Sequence, residues 1–160
     1  LSDRAKEGLF SIIVNLVSVC NFLDLFAGTG QIGIEALSRG AKSATFIEIE
    51  RKAVVIIKEN LQTFGLADRG KVFVCDANRS ISILNKKGIK FDIILIVAPY
   101  WSRKLDDALE KIAESDILNE NAIVIAERSK RHIIQKVYGL LSEYDEAVYG
   151  DTIFTFFKGA

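Results

Sequence analysis

Residues 23–30 of the chain read Leu23-Asp24-Leu25-Phe26-Ala27-Gly28-Thr29-Gly30. They follow an apolar run that begins at Phe22, lead into a segment of helical period, and complete the pattern G-x-G-x-x-G with Gly33. A glycine turn between a strand and a helix lets the backbone approach a nucleotide-like ligand at the helix N-terminus. This stretch therefore predicts an adenosine-binding loop at the start of an α/β fold.

Outside this stretch, apolar runs of strand length alternate with segments of helical period. The alternation is typical of a parallel sheet covered by helices. We predict strands at residues 22–26, 43–48, 71–75, 91–97 and 122–128. We predict helices at residues 31–39, 51–64 and 103–114, the second with an apolar stripe of Val54, Ile57, Leu61 and Phe64.

The end of the chain has a different pattern. Two β-prone runs, residues 143–149 and 152–158, flank the two-residue turn Gly150-Asp151 and predict an antiparallel hairpin. The predicted fold class is α/β, a Rossmann-like, doubly wound, mostly parallel seven-stranded sheet with this C-terminal hairpin. Residues 1–160 are predicted to form a single domain. The chain begins at Leu1 and contains no methionine, so we expect that a natural N-terminal segment is missing.

Composition excludes several classes of protein. Two cysteines, Cys20 and Cys75, are too few for a disulfide framework and have no metal-site spacing, which indicates a reducing cytoplasm and no bound metal. The single histidine, His132, is interpreted as a surface residue, and the lack of a G-x-S-x-G motif argues against a serine hydrolase. No apolar run approaches the ~18 residues of a membrane span, so no membrane partner is expected.

The net charge of zero neither supports nor excludes a nucleic-acid partner. Positive charge is nevertheless clustered, for example at Arg103 and Lys104 and at residues 128–131. Solvated helix and loop faces explain such clusters most simply. Arg103 and Lys104 are also candidate phosphate contacts because they follow a predicted site.

Three acids at predicted strand ends indicate which ligand the glycine loop binds. Asp24 precedes the loop, Glu48 ends the second strand about 20 residues after the first glycine, and Asp76 follows the third strand. An acid beside the loop would repel the pyrophosphate of NAD, whereas it would attract the ammonium and sulfonium of S-adenosylmethionine (SAM). Each acid alone could be a strand-end cap. Three of them around one loop favour SAM.

Several longer stretches resemble a known family, the bacterial small-subunit ribosomal RNA guanine-N2 methyltransferases (the RsmD family). Its cofactor loop and helix are similar to residues 24–30 and to Gly33-Ile34-Glu35-Ala36-Leu37-Ser38-Arg39-Gly40-Ala41. Its N-terminal helix and final turn are similar to Ser2-Asp3-Arg4 with Gly8-Leu9-Phe10-Ser11-Ile12, and to Tyr149-Gly150-Asp151-Thr152. The resemblance covers essentially the whole chain, although the family usually has a further basic N-terminal segment.

The resemblance implies a SAM-dependent enzyme that forms N2-methylguanine in small-subunit ribosomal RNA. The implied partner is that RNA or the assembling small subunit, met by a cytoplasmic monomer. With the loop and its neighbours, the predicted cofactor-binding set is Asp24, Phe26, Ala27, Gly28, Thr29, Gly30, Glu48, Ile49, Asp76 and Ala77.

The predicted catalytic motif departs from the pattern of amino methyltransferases. Those enzymes carry Asp or Asn, two prolines and an aromatic residue after the fourth strand, where this chain has Val97, Ala98, Pro99 and Tyr100. The acidic or amide side chain accepts an N–H of the base amine, and the aromatic ring stacks on a base that has left its own stack. Val97 cannot accept a hydrogen bond, and loss of an acceptor can lower a rate roughly 10²–10⁴-fold.

Several functions remain open from the sequence. The leading hypothesis is an RNA guanine-N2 methyltransferase with weakened chemistry. The alternatives are a SAM- and RNA-binding protein that no longer catalyses, a DNA amino methyltransferase, and an NAD-dependent oxidoreductase, which Asp24 disfavours. Trp101 is interpreted equally as an extension of the stacking surface or as a hydrophobic lid.

Overall fold

A mixed sheet of eight strands forms the centre of the computed structural model, which describes residues 1–159. The strands are β1 (Asn21–Leu25), β2 (Ser43–Glu48), β3 (Gly70–Val74), β4 (Phe91–Ile96), β5 (Leu118–Ser129), β6 (Val137–Tyr138), β7 (Leu141–Tyr149) and β8 (Thr152–Lys158). Their order is β3-β2-β1-β4-β5-β8-β7-β6. Strands β1 to β5 run parallel, and β8, β7 and β6 pair antiparallel.

This topology confirms the predicted α/β fold class and its C-terminal hairpin. In that hairpin Tyr149 pairs with Thr152 across a turn whose Gly150 has a positive φ of 61°. The sheet has eight strands where seven were predicted. The extra strand, β6, is only two residues long, and such a short run has too little alternation to be recognised in a sequence.

Within residues 1–159, six helices cover the two faces of the sheet. They are α1 (Asp3–Ile12), α2 (Val14–Val17), α3 (Gln31–Ser38), α4 (Arg51–Thr63), α5 (Ala77–Lys86) and α6 (Lys104–Glu114). Helices α1 to α4 contribute apolar side chains to the core on one face, and α5 and α6 contribute theirs to the core on the other. Because both faces are covered, the central strands are buried on both sides, as their near-continuous apolar sequences indicate.

The predicted apolar stripe of α4 is correct except at its end. Val54, Ile57 and Leu61 are buried, whereas Phe64 is 62% exposed. The helix ends at Thr63, so Phe64 takes the cap conformation and its ring leaves the packed stripe. Gly65 follows with a φ of +68°, as expected for a glycine that ends a helix.

The strand order places a crevice at one edge of the sheet. Strand β1 lies between β2 and β4, and the chain crosses to opposite faces after β1 and after β4. In such sheets the loops at the carboxyl ends diverge at this point and leave room for a ligand. Residues 26–30, 49–50, 75–77 and 97–100 all follow carboxyl ends here.

Gly33 allows α3 to lie directly against β2. A Cβ atom at Gly33 would lie 2.3 Å and 2.7 Å from ring carbons of Phe46, a fully buried side chain of β2. The third glycine of this pattern therefore provides close packing between helix and strand rather than a ligand contact.

We expect Gly33→Ala to destabilise the protein by about 1–3 kcal/mol, because the added methyl group overpacks the core against Phe46. Alanine favours a helix by up to about 1 kcal/mol over glycine, so the clash must outweigh that gain. Urea unfolding monitored by circular dichroism gives the change. The double variant Gly33→Ala/Phe46→Leu, compared with Phe46→Leu alone, should recover most of the loss. An unchanged midpoint for Gly33→Ala would contradict this packing argument.

Candidate functional site

The loop after β1 turns sharply over the end of β2. Phe26 has a left-handed backbone with a φ of 60°, and the N–H of Ala27 donates to the carbonyl of Ile47 at 2.9 Å. Gly28 also has a φ of 60°, and a Cβ added there would meet nothing within 4 Å. Gly28 therefore has the backbone that L side chains rarely adopt and faces open space, which is where a bound ligand could approach.

Glu48 binds this loop to β2 through its carboxylate. One oxygen, Oε1, accepts the N–H of Gly28 at 2.8 Å, and the other, Oε2, accepts the N–H of Glu50 at 2.9 Å. A carboxylate has about four acceptor positions, so these two bonds leave capacity for hydroxyl donors. Glu48 therefore orders the loop and still presents acceptors to the cleft.

Asp24 lies beneath the loop and does not line the cleft. Its side chain is only 2% exposed, and Oδ2 accepts the N–H of Gly33 at 3.2 Å. Burial raises the pKa of Asp24 to about 8; the Gly33 N–H acts in the opposite direction, and the nearby Glu48 adds to the rise. The sequence argument placed this acid beside the ligand. In the structure Asp24 is instead buried under the loop, and its raised pKa favours the neutral carboxyl.

Asp76 also has a structural hydrogen bond. It is the N-cap of α5 and accepts the N–H of Arg79 at 3.0 Å, while its side chain lines the cleft. Asn78, in the first turn of the same helix, holds a buried oxygen, Oδ1, with no hydrogen-bond partner among residues 1–159. This oxygen is buried away from the cleft, whose lining does not include Asn78.

A cleft of about 390 Å³ brings together eight of the predicted residues, Phe26, Glu48, Ile49, Asp76, Ala77, Val97, Ala98 and Pro99. Ile47, Glu50, Cys75 and Lys104 complete its lining. Five predicted cofactor residues do not line it, namely Asp24, Ala27, Gly28, Thr29 and Gly30. The cleft therefore joins the acids of β2 and β3 to the motif that follows β4.

The residues of the predicted catalytic motif differ in their surroundings. Val97 is half-buried and packs against the core on the face of α1, and Ala98 is buried. Pro99 ends the run, and its carbonyl accepts the Ser102 hydroxyl at 2.9 Å. Tyr100 lines a neighbouring cavity instead of the 390 Å³ cleft.

Tyr100 is held by an acid that the sequence analysis missed. Its hydroxyl donates to Oε1 of Glu127, which is 4% exposed at the carboxyl end of β5. Val97 and Glu127 each follow the last paired residues of β4 and β5, Ile96 and Ala126, so they are neighbours at the sheet edge. The rule that selected Glu48 and Asp76, an acid at a strand end, would also have selected Glu127.

Burial has a large effect on this pair. Burial first, and then the hydrogen bond to Glu127, raise the pKa of Tyr100 to about 12. In the hairpin turn, Thr152 lowers this pKa and Asp151 raises it. Burial also raises the pKa of Glu127, and the bond from Tyr100 lowers it. The hairpin turn is therefore part of the surroundings of Tyr100.

The structure also places two charged or titratable residues that the sequence assigned to the surface, His132 and Lys104. His132 is half-buried, and its Nε2 lies 2.9 Å from Oδ2 of Asp106, so it is a packed loop residue rather than a free surface histidine. Lys104 lines the cleft, as a ligand contact would. Among residues 1–159, no three His, Cys, Asp or Glu side chains are grouped as a metal site, and no helix is long and apolar enough to cross a membrane.

Known proteins are similar to this chain in sequence and in fold. The family profile described as "Conserved hypothetical protein 95" matches residues 1–158. The Bacillus subtilis protein YlbH is 33% identical over 157 residues, which cover 98% of this chain and 85% of that protein. The Escherichia coli protein named ribosomal RNA small subunit methyltransferase D is 28% identical, over 98% of this chain and 77% of its own.

A solved structure agrees with these relatives. A conserved hypothetical protein from Streptococcus pyogenes superposes with a TM-score of 0.86 at 29% identity, covering 97% of this chain and 95% of that chain. The match of one profile to nearly every residue, together with the 33% identity to YlbH, leads to one conclusion. The chain belongs to the family described as "Conserved hypothetical protein 95", the family of the ribosomal RNA small subunit methyltransferase D proteins.

Proposed function

We propose that this chain is a SAM-dependent methyltransferase that modifies the exocyclic N2 of a guanine in small-subunit ribosomal RNA. The observation that carries this proposal is the shared cleft, which Glu48 and Asp76 line together with the Ala98-Pro99 segment. The names of the Escherichia coli and Haemophilus influenzae relatives, ribosomal RNA small subunit methyltransferase D, support the substrate class.

The cleft fits the chemistry of SAM. Glu48 retains acceptors for the ribose hydroxyls, and Asp76 can accept the adenine amino group. Apolar side chains such as Ile47 and Ile49 offer the flat contacts that an adenine ring needs. When bound, SAM supplies an electrophilic methyl group that is bonded to its sulfonium sulfur.

The chain's own residues present the base. We propose that Tyr100 stacks on the flipped guanine, with its ring orientation fixed by the hydrogen bond to Glu127. The carbonyl of Ala98 accepts one N–H of the amine, which directs the nitrogen lone pair away from the ring. Val97 offers no second acceptor, so this part of the site is weaker than in enzymes with an acidic residue there.

The position of Val97 also supports a second candidate function. Val97 is half-buried and packs against the core, as a structural residue would. A protein that binds SAM and RNA without methylating is therefore the alternative. Under either function, we propose that residues 1–160 act as one domain, as a cytoplasmic monomer, on ribosomal RNA or on the assembling small subunit.

Two measurements test the main proposal together. Calorimetric titration should detect SAM binding and no binding of NAD. With labelled SAM, label should appear in small ribosomal subunits from cells that lack the methyltransferase, and nuclease digestion should release it as N2-methylguanine. Absence of SAM binding would overturn the proposal. Label in duplex DNA alone would replace ribosomal RNA with DNA as the substrate.

The pKa of Asp24 predicts a pH dependence of SAM binding. Because burial raises this pKa to about 8, the carboxyl is mostly neutral below that pH, and a cationic ligand favours its ionised form. Binding should therefore release a proton, and SAM affinity should rise with pH by up to about tenfold per unit until pH 8. Calorimetry at pH 6, 7 and 8 measures this. The control Asp24→Asn should show weaker binding and remove the component of the slope that belongs to Asp24.

The same shift predicts the stability of the ligand-free protein. The pKa of Asp24 is higher in the folded protein than the unfolded value of 3.8. The contribution of Asp24 to the free energy of unfolding is therefore greatest below about pH 4 and falls as the pH rises toward 8. Asp24→Asn should reduce this fall in urea unfolding experiments at pH 5 and pH 8. Equal pH profiles for the two proteins would contradict the burial argument.

Replacing Val97 restores the missing acceptor. We expect Val97→Asp to raise kcat for guanine methylation by at least about 10-fold, since an acceptor in the transition state contributes roughly 10²–10⁴-fold and a new acid at a half-buried position is imperfectly placed. The matched control is Val97→Leu, which should give no gain. An inactive parent with an active Val97→Asp variant identifies the non-catalytic function. A Val97→Asp variant that folds and binds SAM but shows no gain would contradict the role assigned to this position.

A further inference from the structure

Beside the cofactor cleft lies a second cavity, between the loop that follows β4 and the loop that follows β5. We propose that this cavity binds a nucleotide that flanks the target guanine in single-stranded RNA. The inference rests on the proposed function for its biological context, but the binding itself is testable separately. The cavity measures about 380 Å³, and Tyr100, Trp101, Arg103, Arg131, His132 and Ile133 are in its lining.

Two of the side chains that line this cavity are large, apolar and unusually exposed. Trp101 and Ile133 are each 79% exposed, although an indole and a branched aliphatic side chain normally find cover. Trp101 also has a φ of 62°, a left-handed backbone that L residues with large side chains rarely adopt. The chain thus presents an uncovered aromatic face immediately after the residue that is proposed to hold the target base.

Positive charge lies beside these walls. Arg131 lines the cavity and forms no ion pair with any residue in the described part of the chain. Arg103 lies in long ion pairs of 3.6 Å with Asp107 and Glu110 on its own helix. Guanidinium groups next to an exposed aromatic ring match the two needs of a nucleotide, a cation for its phosphate and a flat surface for its base.

Hydrogen bonds hold His132, one of the residues that line the cavity, in place. Nε2 of His132 lies 2.9 Å from Oδ2 of Asp106, and the hydroxyl of Tyr138 donates to Oδ1 of Asp106 at 3.3 Å. Arg128 donates to the carbonyl of His132 at 3.0 Å, which fastens the second loop to the end of β5. Asp106 is thus hydrogen-bonded to His132 and Tyr138, and it forms no ion pair with Arg131.

Continuity with the cofactor cleft favours RNA over a peptide as the occupant. Pro99 lines the first cleft, Tyr100 lines the second, and Trp101 follows directly, so a strand with its guanine on Tyr100 would pass over the indole. Stacking on an aromatic side chain tolerates any base, so the site should accept a flanking nucleotide of any sequence.

The only tryptophan in the sequence, Trp101, makes the test direct. The probe is a fluorescein-labelled single-stranded RNA hexanucleotide with one guanosine among uridines, and its unlabelled form for tryptophan fluorescence. Binding should quench the tryptophan emission. By anisotropy, Trp101→Ala should weaken binding about 5- to 100-fold, since stacking on one aromatic side chain contributes this much. Arg131→Gln should weaken binding and lower the slope of log affinity against log salt by about one.

Matched controls separate this cavity from general effects. Phe64→Ala removes another exposed aromatic ring, and Arg51→Gln removes another exposed cation, both on α4 or at its end; neither should change RNA affinity. Trp101→Ala should keep the SAM affinity and the melting temperature of the parent. Unchanged RNA affinity in Trp101→Ala would overturn the proposal, as would equal quenching by a hexaglutamate peptide.

The two proposals fail in different ways. If SAM does not bind but RNA still quenches Trp101, the methyltransferase function is lost and the nucleotide site stands. If SAM binds and methylation proceeds while RNA leaves Trp101 unquenched, the nucleotide site is lost and the function stands. In methylation assays, Trp101→Ala should raise KM for RNA and leave kcat nearly unchanged, because its ring acts in binding and not on the reacting atoms.

Discussion

The carboxylate of Glu48 is the interaction on which the candidate site depends. By accepting the N–H of Gly28 at one oxygen and that of Glu50 at the other, it fixes the glycine loop to the end of β2. The loop covers Asp24. The Asp24 carboxyl in turn accepts the N–H of Gly33 and so holds the first turn of α3. One side chain thus fixes the distance between the loop and the acids that line the cleft.

Much of the fold could be predicted because each element is locally consistent. Continuous apolar runs identify the parallel strands, and glycines with positive φ end α3 and α4 where expected. Helix α5 was not predicted, since its residues 77–86 are mostly polar on the exposed side and their apolar positions alone are few. Phe64 was misassigned because periodicity cannot show that a helix stops one residue earlier.

The candidate site was predictable in its chemistry and less so in its geometry. A sequence can place Asp24, Glu48 and Asp76 at strand ends, but it cannot show that backbone N–H groups bind all three. Glu48 and Asp76 each accept a backbone N–H and also line the cleft, so a structural role does not exclude the proposed ligand role. Glu127 also lies at a predicted strand end, but its bond to Tyr100 could not be predicted, because the two residues are 27 apart along the chain and meet only in three dimensions.

The position of β8 has a consequence for how the protein is made. This last strand inserts between β5 and β7, and its residues 152–158 pair with the end of β5 that carries Glu127. A nascent chain emerges from the ribosome N-terminal end first, so the cofactor loop is available long before β8 arrives. Until then β5 has an open edge, and Tyr100 lacks its finished surroundings. The surroundings of Tyr100, the residue proposed to hold the base, are therefore completed only after β8 has been synthesised.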